Sequence, residues 1–342
     1  MRSLFYLGTV LIMSQFLVSQ TLNDITYLTQ TSLNGSARYT AMAGAFGALG
    51  GDLTAISNNP AASSVFLNTE IGGSLNFQAR ENESKYYGEF TSLNEEAFYF
   101  DQLGAVFVFN NTNEENPWSR ISAAINVNRV TNFDNQTSLS GINYKSIADY
   151  FLYYANGIAF EDIQLYDDET ISDIYRYLGD EIGFGAQQAF LGYQSYIIDP
   201  LSPNDLEKSY ISNVSSNKYR NNLDIINSGF HRKTSFNFSA LYQNILHIGV
   251  NLNSHKLEFR NNQDFFEYDQ DIDSFIYNVN FDNDLISYGD GFSIQFGGIL
   301  KLKNIRIGAT YDSPQWIDIK DETQQKLSAY RFEDEFEIQE II

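Results

Sequence analysis

The histidines and carboxylates are the side chains of this sequence that are capable of acid–base or metal chemistry. His231, His247 and His255 are its histidines, and it has no cysteine. His247 and His255 are too far apart on one predicted strand to ligate a single zinc ion, and no thiolate completes a site. There is no nucleophile elbow, P-loop or zinc-protease motif. We therefore predict no enzymatic activity, no catalytic residue, no metal site and no cofactor, and interpret His247 as a polar lining residue.

Acidic residues dominate the charge. The chain has 43 Asp and Glu against 21 Lys and Arg, a formal net charge of -22. This excludes a nucleic-acid partner, because affinity for phosphate backbones depends on clustered Lys and Arg. The acids concentrate in a few stretches that we interpret as solvated loops. A calcium-binding loop is the alternative for one cluster, although its spacing is not that of an EF-hand; the cluster comprises Asp264, Glu267, Asp269, Asp271 and Asp273.

The elements that position these residues follow a predicted secretion signal, residues 1–20. Arg2 precedes an uncharged apolar run over residues 4–18, and Ser19 and Gln20 follow it. This run is shorter than the roughly 20 residues that cross a bilayer as a helix, and no later apolar run approaches that length. The mature chain is therefore expected to be either a soluble β-protein or a transmembrane β-barrel.

A segment of small residues follows the signal, from residue 35 to 66, with the sequence GSARYTAMAGAFGALGGDLTAISNNPAASSVF. Its glycines allow a compact backbone that turns tightly and packs closely. Asn58, Asn59 and Pro60 predict a turn with a fixed φ at the proline. The segment has too few large apolar side chains to form a core of its own, so it must be held inside a larger structure.

From residue 70 onward, apolar and small polar residues alternate with a period of two, which predicts β-strands. Each run is about the 9–11 residues that a tilted membrane strand requires. Asn, Ser, Gly and Gln on the polar faces favour a barrel with a wet or plugged interior over a soluble sandwich, whose surface carries more Lys and Glu. The alternating runs are residues 70–78, 121–128, 235–242, 246–253, 292–297 and 305–311.

A long insertion over residues 131–232 separates two of these runs and has helical signals. The signals predict helices after Ser146, from Ile171 to Gly179 and over residues 186–198. Their apolar faces either pack together as a small cap or leave a groove for a hydrophobic solute. The candidate groove residues are Tyr150, Phe151, Tyr154, Tyr175, Leu178, Phe190, Tyr193 and Ile197.

The small-residue run, then GALGGD and then NNPA ahead of a strand, resembles the N-terminal hatch of the OmpP1/FadL/TodX family of outer-membrane transporters, in its Bacteroidetes-type form. The resemblance is specific over residues 35–66 and only architectural beyond them. It implies an all-β fold: a transmembrane antiparallel β-barrel (residues 69–342) with an N-terminal hatch inside (residues 21–68) and a helical extracellular insertion. The candidate hatch or gating residues are Gly44, Gly47, Gly50, Gly51, Asp52, Asn58, Asn59, Pro60 and Ala61.

The resemblance also implies a function and a location. It implies passive diffusion of hydrophobic small molecules, such as long-chain fatty acids or other lipophilic compounds, across the outer membrane of a Gram-negative bacterium. The implied partners are outer-membrane lipid, lipopolysaccharide and the hydrophobic substrate. The alternative implied by the family is a barrel that acts as a scaffold for secretion-system proteins.

The end of the chain departs from the family pattern. Eight to ten strand-length segments are recognisable, fewer than in the family's barrel, which has about fourteen strands. The last residues alternate acidic and apolar side chains and lack an aromatic closing strand. Because an open sheet edge leaves unpaired backbone groups in lipid, we expect a barrel that is incomplete here and lacks C-terminal strands; a smaller barrel is the alternative.

Overall fold

The computed structural model describes residues 31–113, 115–167, 169–215, 218–269, 275–330 and 335–341. The predicted signal peptide, residues 1–20, lies outside the described residues, as do residues 21–30 of the predicted hatch. Both assignments stay predictions. We refer to residues 31–68 as the N-terminal segment.

The N-terminal segment contains only short helices: α1 (Ala37–Ala41), α2 (Ala55–Asn58) and a 3-10 helix (Pro60–Val65). Ser36 caps α1 by accepting a hydrogen bond from the backbone N–H of Tyr39. Asn59 caps the 3-10 helix in the same way, and Pro60 occupies its first turn, where no N–H partner is needed. The predicted turn at Asn58, Asn59 and Pro60 is therefore the junction of two helices.

The rest of the described chain is mostly strand. The strands are β1 (Glu70–Tyr86), β2 (Glu89–Asn110), β3 (Trp118–Asn132), β4 (Asn135–Asn143), β5 (Ile198–Pro200), β6 (Tyr210–Ser212), β7 (Tyr219–Tyr242), β8 (Leu246–Asp269), β9 (Asn278–Lys301), β10 (Arg306–Asp312), β11 (Trp316–Tyr330) and β12 (Glu335–Ile341). The helices between β4 and β7 are α3 (Ala148–Ala155), a 3-10 helix (Phe160–Ile163), α4 (Ile171–Glu181) and α5 (Phe184–Gln194).

One antiparallel sheet runs in the order β1-β2-β3-β7-β8-β9-β11-β12. Both β3 and β4 pair with β7, one after the other, and both β10 and β11 pair with β9 in the same manner. The sheet curls into a half-barrel. The prediction of an antiparallel β fold is thus confirmed. Among the described residues, no helix combines the length and the apolar character needed to cross a membrane.

The two faces of the sheet differ sharply in composition. Phe238, Leu252 and Phe296 on one face are 57%, 50% and 53% exposed. Their strand neighbours on the other face, such as Asn237 and Asn251, are 1% and 0% exposed. We call the first the outer face and the second the inner face. The inner face is buried because the N-terminal segment packs against β3, β7, β8 and β9.

The apolar part of the outer face ends at a row of charged side chains. Arg232, Lys256, Asp290 and Asp318 are direct cross-strand neighbours on β7, β8, β9 and β11. The row next to it includes Phe292 and Trp316, whose rings stack with centroids 5.0 Å apart. At the opposite end, Trp118 and Tyr242 form an edge-to-face pair, also at 5.0 Å.

The strands are longer than the predicted 9–11 residues: β7, β8 and β9 have 24 residues each. Strands β4 and β7 also include both ends of the predicted insertion, so the connection between them spans residues 144–218 instead of 131–232. The reason is the composition of these extensions. Beyond the charged row the outer face is mostly polar and the inner face mixes apolar with amide side chains, so the regular alternation from which strands were predicted is lost.

Helices α3, α4 and α5, with the β5–β6 hairpin, form what we call the helical unit. Helix α3 begins two residues after Ser146, and the N–H of its first residue, Ala148, donates to Ser146 Oγ at 3.1 Å. Helix α4 continues past Gly179 to Glu181, and α5 ends at Gln194, short of the predicted residue 198. The unit packs on the inner face of β9 and β11 through Val279 and Leu327.

Candidate functional site

The inner face holds the N-terminal segment through hydrogen bonds from side chains to main chain. Asn237 Nδ2 donates to the carbonyl of Pro60 at 2.8 Å, and Asn251 Nδ2 donates to the carbonyl of Ile56 at 2.8 Å. Both asparagines are buried. Buried carbonyls that lack a helix or strand partner need such donors, because an unsatisfied one costs about 1–3 kcal/mol.

The same pattern continues around the turn between α2 and the 3-10 helix. Gln295 Nε2 donates to the carbonyls of Ser57 and Asn58 at 3.3 and 3.2 Å, and Lys233 Nζ donates to Ser57 at 3.1 Å. Thr310 Oγ1 donates to the carbonyl of Asn58 at 3.3 Å. Together with Asn251 of β8, these side chains bring four strands, β7 to β10, into contact with residues 56–58 of the segment.

Two serines of the 3-10 helix Pro60–Val65 bind side chains on the inner face of the sheet, which forms a wall around the N-terminal segment. Ser63 hydrogen-bonds to Asn237 and lies 2.5 Å from the hydroxyl of Ser239. Ser64 Oγ is 2.8 Å from His247 Nδ1. The prediction that His247 is a polar lining residue agrees with this position. Ser63 and Ser64 were not predicted as site residues, although the inward-facing small polar residues of β7 and β8 were a signal for their partners.

Glycines in the wall make this close approach sterically feasible. A Cβ atom added to Gly249 would overlap the backbone of Pro60, and one added to Gly297 would overlap the side chain of Asn59. Asn59 Nδ2 donates to the carbonyls of Gly47 and Gly298 at 2.7 and 3.2 Å. The wall glycines are thus as important to the contact as the predicted glycines of the segment.

The predicted hatch residues divide by what they contact. Gly44, Gly50 and Gly51 have φ of 74°, 61° and 69°, the left-handed conformations that glycine permits. Asp52 does not bond to the wall as expected from the sequence; it accepts hydrogen bonds from Ser36 Oγ and the N–H of Thr54 within the segment. The residues that contact the sheet are Gly47, whose backbone lies against Gly308 of β10, and Asn58, Asn59, Pro60 and Ala61.

A cavity of about 800 Å³ lies between the inner face and the helical unit. Strands β8 and β9 contribute alternating apolar and amide side chains to its wall, including Phe265, Gln263 and Asn283. The helical side contributes Tyr150 and Phe184. The cavity therefore combines a lining whose exposed area is mostly apolar with many hydrogen-bonding side chains, a mixture that suits a ligand with both apolar and polar parts.

Of the eight predicted groove residues, Tyr150 lines this cavity. Burial raises the pKa of Tyr150, so its hydroxyl stays protonated and donates to Gln188 Oε1 at 3.1 Å. The other seven pack in or against the core of the helical unit, which is the alternative left open by the sequence. They are Phe151, Tyr154, Tyr175, Leu178, Phe190, Tyr193 and Ile197.

Glu267 connects the helical unit to β8. Its carboxylate accepts hydrogen bonds from the Ser146 hydroxyl and, at 2.9 Å, from the N–H of Ile147 at the start of α3. Burial raises the pKa of Glu267 to about 7. The side chain of Asp264 lies on the opposite face of β8 from Glu267 and Asp269. Asp271 and Asp273 lie outside the described residues, so the calcium-binding loop stays a prediction.

The contact between His231 and His255 was not predicted from the sequence. His231 Nε2 lies 3.0 Å from His255 Nδ1, and His255 Nε2 lies 2.8 Å from Ser293 Oγ. Cross-strand register brings these residues together, and no spacing along the chain reveals it. Within the described ranges, no group of three or more His, Cys, Asp or Glu side chains is arranged to hold a metal ion.

Comparison with known proteins adds no identity: no family model, no curated protein and no solved structure matches this chain.

Gly297→Ala is expected to loosen the N-terminal segment, because the new methyl group overlaps Asn59. Overpacking of this kind costs about 1–3 kcal/mol, so amide hydrogen exchange at Ala61 and Ala62 should accelerate by roughly tenfold or more. Gly298→Ala is the matched control, since its Cβ would lie 3.7 Å from the nearest atom, the carbonyl of His247. Equal exchange rates in both variants would contradict the assigned contact.

Glu267 predicts a pH dependence for the stability of the helical unit. Because the folded state raises the pKa of Glu267 from 4.5 to about 7, the folded chain binds this proton more tightly than the unfolded chain. The free energy of unfolding should therefore fall as pH rises from about 5 to about 7, by up to roughly 3 kcal/mol, and stay level above that. Denaturant unfolding of Glu267→Gln should lack this component, so parallel pH curves for the variant and the parent would refute it.

Proposed function

We propose that the chain is a transmembrane β-barrel of the outer membrane of a Gram-negative bacterium, through which hydrophobic small molecules pass by passive diffusion. The observation that carries this proposal is the opposite polarity of the two faces of one sheet. The exposed face is apolar over a band of limited height, and the buried face is lined by small polar side chains that hold the N-terminal segment.

The height of the apolar band supports a membrane location. On β9, residues 292–300 lie between the charged row and the turn to β10. At about 3.3 Å per residue they extend roughly 27 Å along the strand, close to what a tilted strand needs to cross an outer membrane. Aromatic pairs lie near both ends, at Trp118–Tyr242 and at Phe292–Trp316. Such aromatic residues are typical of the interfaces with lipid and lipopolysaccharide head groups.

In this proposal the N-terminal segment is a hatch that fills the bore, and the long polar ends of the strands stand outside the membrane. The helical unit then lies on the extracellular side, above the cavity. A hydrophobic molecule would enter the cavity, pass into the bore and leave past the hatch or through the wall. Strands β1 and β10 are the edges of the sheet at the level of the band, and their backbone groups need partners in lipid, because unpaired groups are not tolerated there.

A charged substitution within the band tests the membrane location. Val250 faces outward on β8 between Ile248 and Leu252, near the middle of the proposed band. Val250→Lys should lower the stability of the chain folded in liposomes by about 2–4 kcal/mol, as lysine does at the midplane of such barrels. Asn262→Lys, on the same strand beyond the charged row, should change it by less than about 1 kcal/mol. Equal effects in urea titrations would indicate that the band does not face lipid.

Uptake into liposomes tests transport. Leu285 lines the cavity, and its neighbour Ile286 faces outward above the band. Leu285→Trp should fill part of the cavity and slow the entry of a lipophilic fluorescent probe several-fold. Ile286→Trp is the control and should transport at the parent rate.

The outcome separates the candidate functions. Uptake no faster than in empty liposomes, by a chain that is folded in the bilayer, would reject transport and leave the scaffold for secretion-system proteins as the remaining hypothesis.

A further inference from the structure

Two chains of hydrogen-bonded amides meet on the wall of the cavity. In the first, Gln263 Nε2 donates to Asn261 Oδ1 at 2.7 Å, and Asn261 Nδ2 donates to Asn227 Oδ1 at 2.6 Å. Gln263 is therefore the first donor of this series of hydrogen bonds. Its side-chain carbonyl oxygen takes no part in the series and remains available as an acceptor.

The second chain runs in the opposite sense. Gln188 Nε2 and the Tyr175 hydroxyl donate to Gln325 Oε1, the former at 2.9 Å, and Gln325 Nε2 donates to Asn283 Oδ1 at 3.1 Å. Asn283 is therefore the last acceptor of this second series. Its amide nitrogen takes no part in the series and has two N–H groups available to donate.

The free ends of these two series of hydrogen bonds, at Gln263 and Asn283, lie side by side. Gln263 and Asn283 are direct cross-strand partners on β8 and β9, so their Cβ atoms are about 4.5–5.5 Å apart. Both side chains are half-buried and line the cavity. Neither Gln263 Oε1 nor Asn283 Nδ2 has a hydrogen-bond partner among the described residues. The cavity therefore presents one acceptor and one donor together.

The charges around the cavity disfavour an anion. Its lining includes one lysine, Lys145, and two carboxylates, Asp149 and Asp321. A carboxylate accepts hydrogen bonds but donates none, so one placed at Asn283 would bring a negative oxygen near Gln263 Oε1. Burial of a charge without a partner is costly. A fatty acid anion is therefore a poor match for this wall.

Apolar side chains flank the pair along the strands. Phe265 and Phe281, the next cross-strand pair, lie on one side of the two amides, and Leu285, whose cross-strand partner is Asn261, lies on the other. We infer that the cavity binds an uncharged amphiphile: an apolar body whose head group carries both a hydrogen-bond donor and an acceptor, such as a hydroxyl or a primary amide. This inference rests on the proposed function and narrows the ligands of the same site.

The test compares head groups on one acyl chain. Binding of monododecanoylglycerol, methyl dodecanoate and dodecanoate is measured at pH 7.5 with the full-length chain in lipid nanodiscs, and binding to empty nanodiscs is subtracted. The glycerol ester, which is neutral and both donates and accepts, should bind about tenfold or more tightly than either of the others. A tenfold ratio corresponds to about 1.4 kcal/mol, the scale of one well-formed hydrogen bond.

Two variants test whether the preference for the glycerol ester depends on Gln263. Gln263→Leu removes the acceptor with little change in size, so it should abolish the preference for the glycerol ester and leave the affinity for the methyl ester unchanged. Asn262→Leu is the matched control on the opposite face of the same strand and should retain the preference. Unfolding curves identical to that of the parent exclude a loss of fold in either variant.

The outcomes separate this inference from the proposed function. Dodecanoate that binds as tightly as the glycerol ester, with both weakened by Leu285→Trp, would overturn the head-group inference and leave the transporter intact. A preference that survives Gln263→Leu would overturn it too. No binding of any of the three above empty nanodiscs would count against the cavity as a site for hydrophobic solutes, and hence against the proposed function.

Discussion

Hydrogen bonds from buried side-chain amides to main-chain carbonyls are the interaction on which the arrangement of this protein depends. The N-terminal segment has little regular secondary structure, so its own backbone leaves carbonyls without partners. Asn237, Asn251 and Gln295 supply donors to these carbonyls. A carbonyl buried without a donor costs about 1–3 kcal/mol, which is a large fraction of the stability of an ordinary domain. The amide donors on the inner face therefore determine where the N-terminal segment can be buried.

The same strands that donate inward present an apolar surface outward, because successive side chains of a strand point to opposite faces. A one-residue change of register would exchange the two faces. The hydrogen bonds to the N-terminal segment and the apolar outer surface would then be lost together. The charged row from Arg232 to Asp318 limits the apolar surface at one level on four strands. Above it, the strands continue with a mostly polar outer face and an inner face of mixed apolar and amide side chains, against which the helical unit packs.

The helical unit leaves a cavity because its large apolar residues are used for its own packing. Phe151, Leu178 and Phe190 are fully buried within it. What remains toward the sheet is a mixed surface that includes Tyr150 and Phe184, opposite alternating rings and amides of β8 and β9. The binding chemistry of the cavity is thus determined mainly by the sheet and not by the helices.

Local patterns in the sequence determined the strands of the apolar band, the start of α3 after Ser146, the turn at Asn58, Asn59 and Pro60 and the glycines with positive φ. These features depend on residues close together in the chain, where side-chain period and φ preference act directly. The extensions of the strands beyond the charged row could not be predicted, because their inner face mixes apolar and polar side chains and the period of two is lost. Only the tertiary structure decided that Gln263 lies beside Asn283, that His231 meets His255 and that Gly297 faces Asn59. Each of these contacts joins residues far apart in sequence, and it exists only once the register of the sheet and the position of the N-terminal segment are fixed.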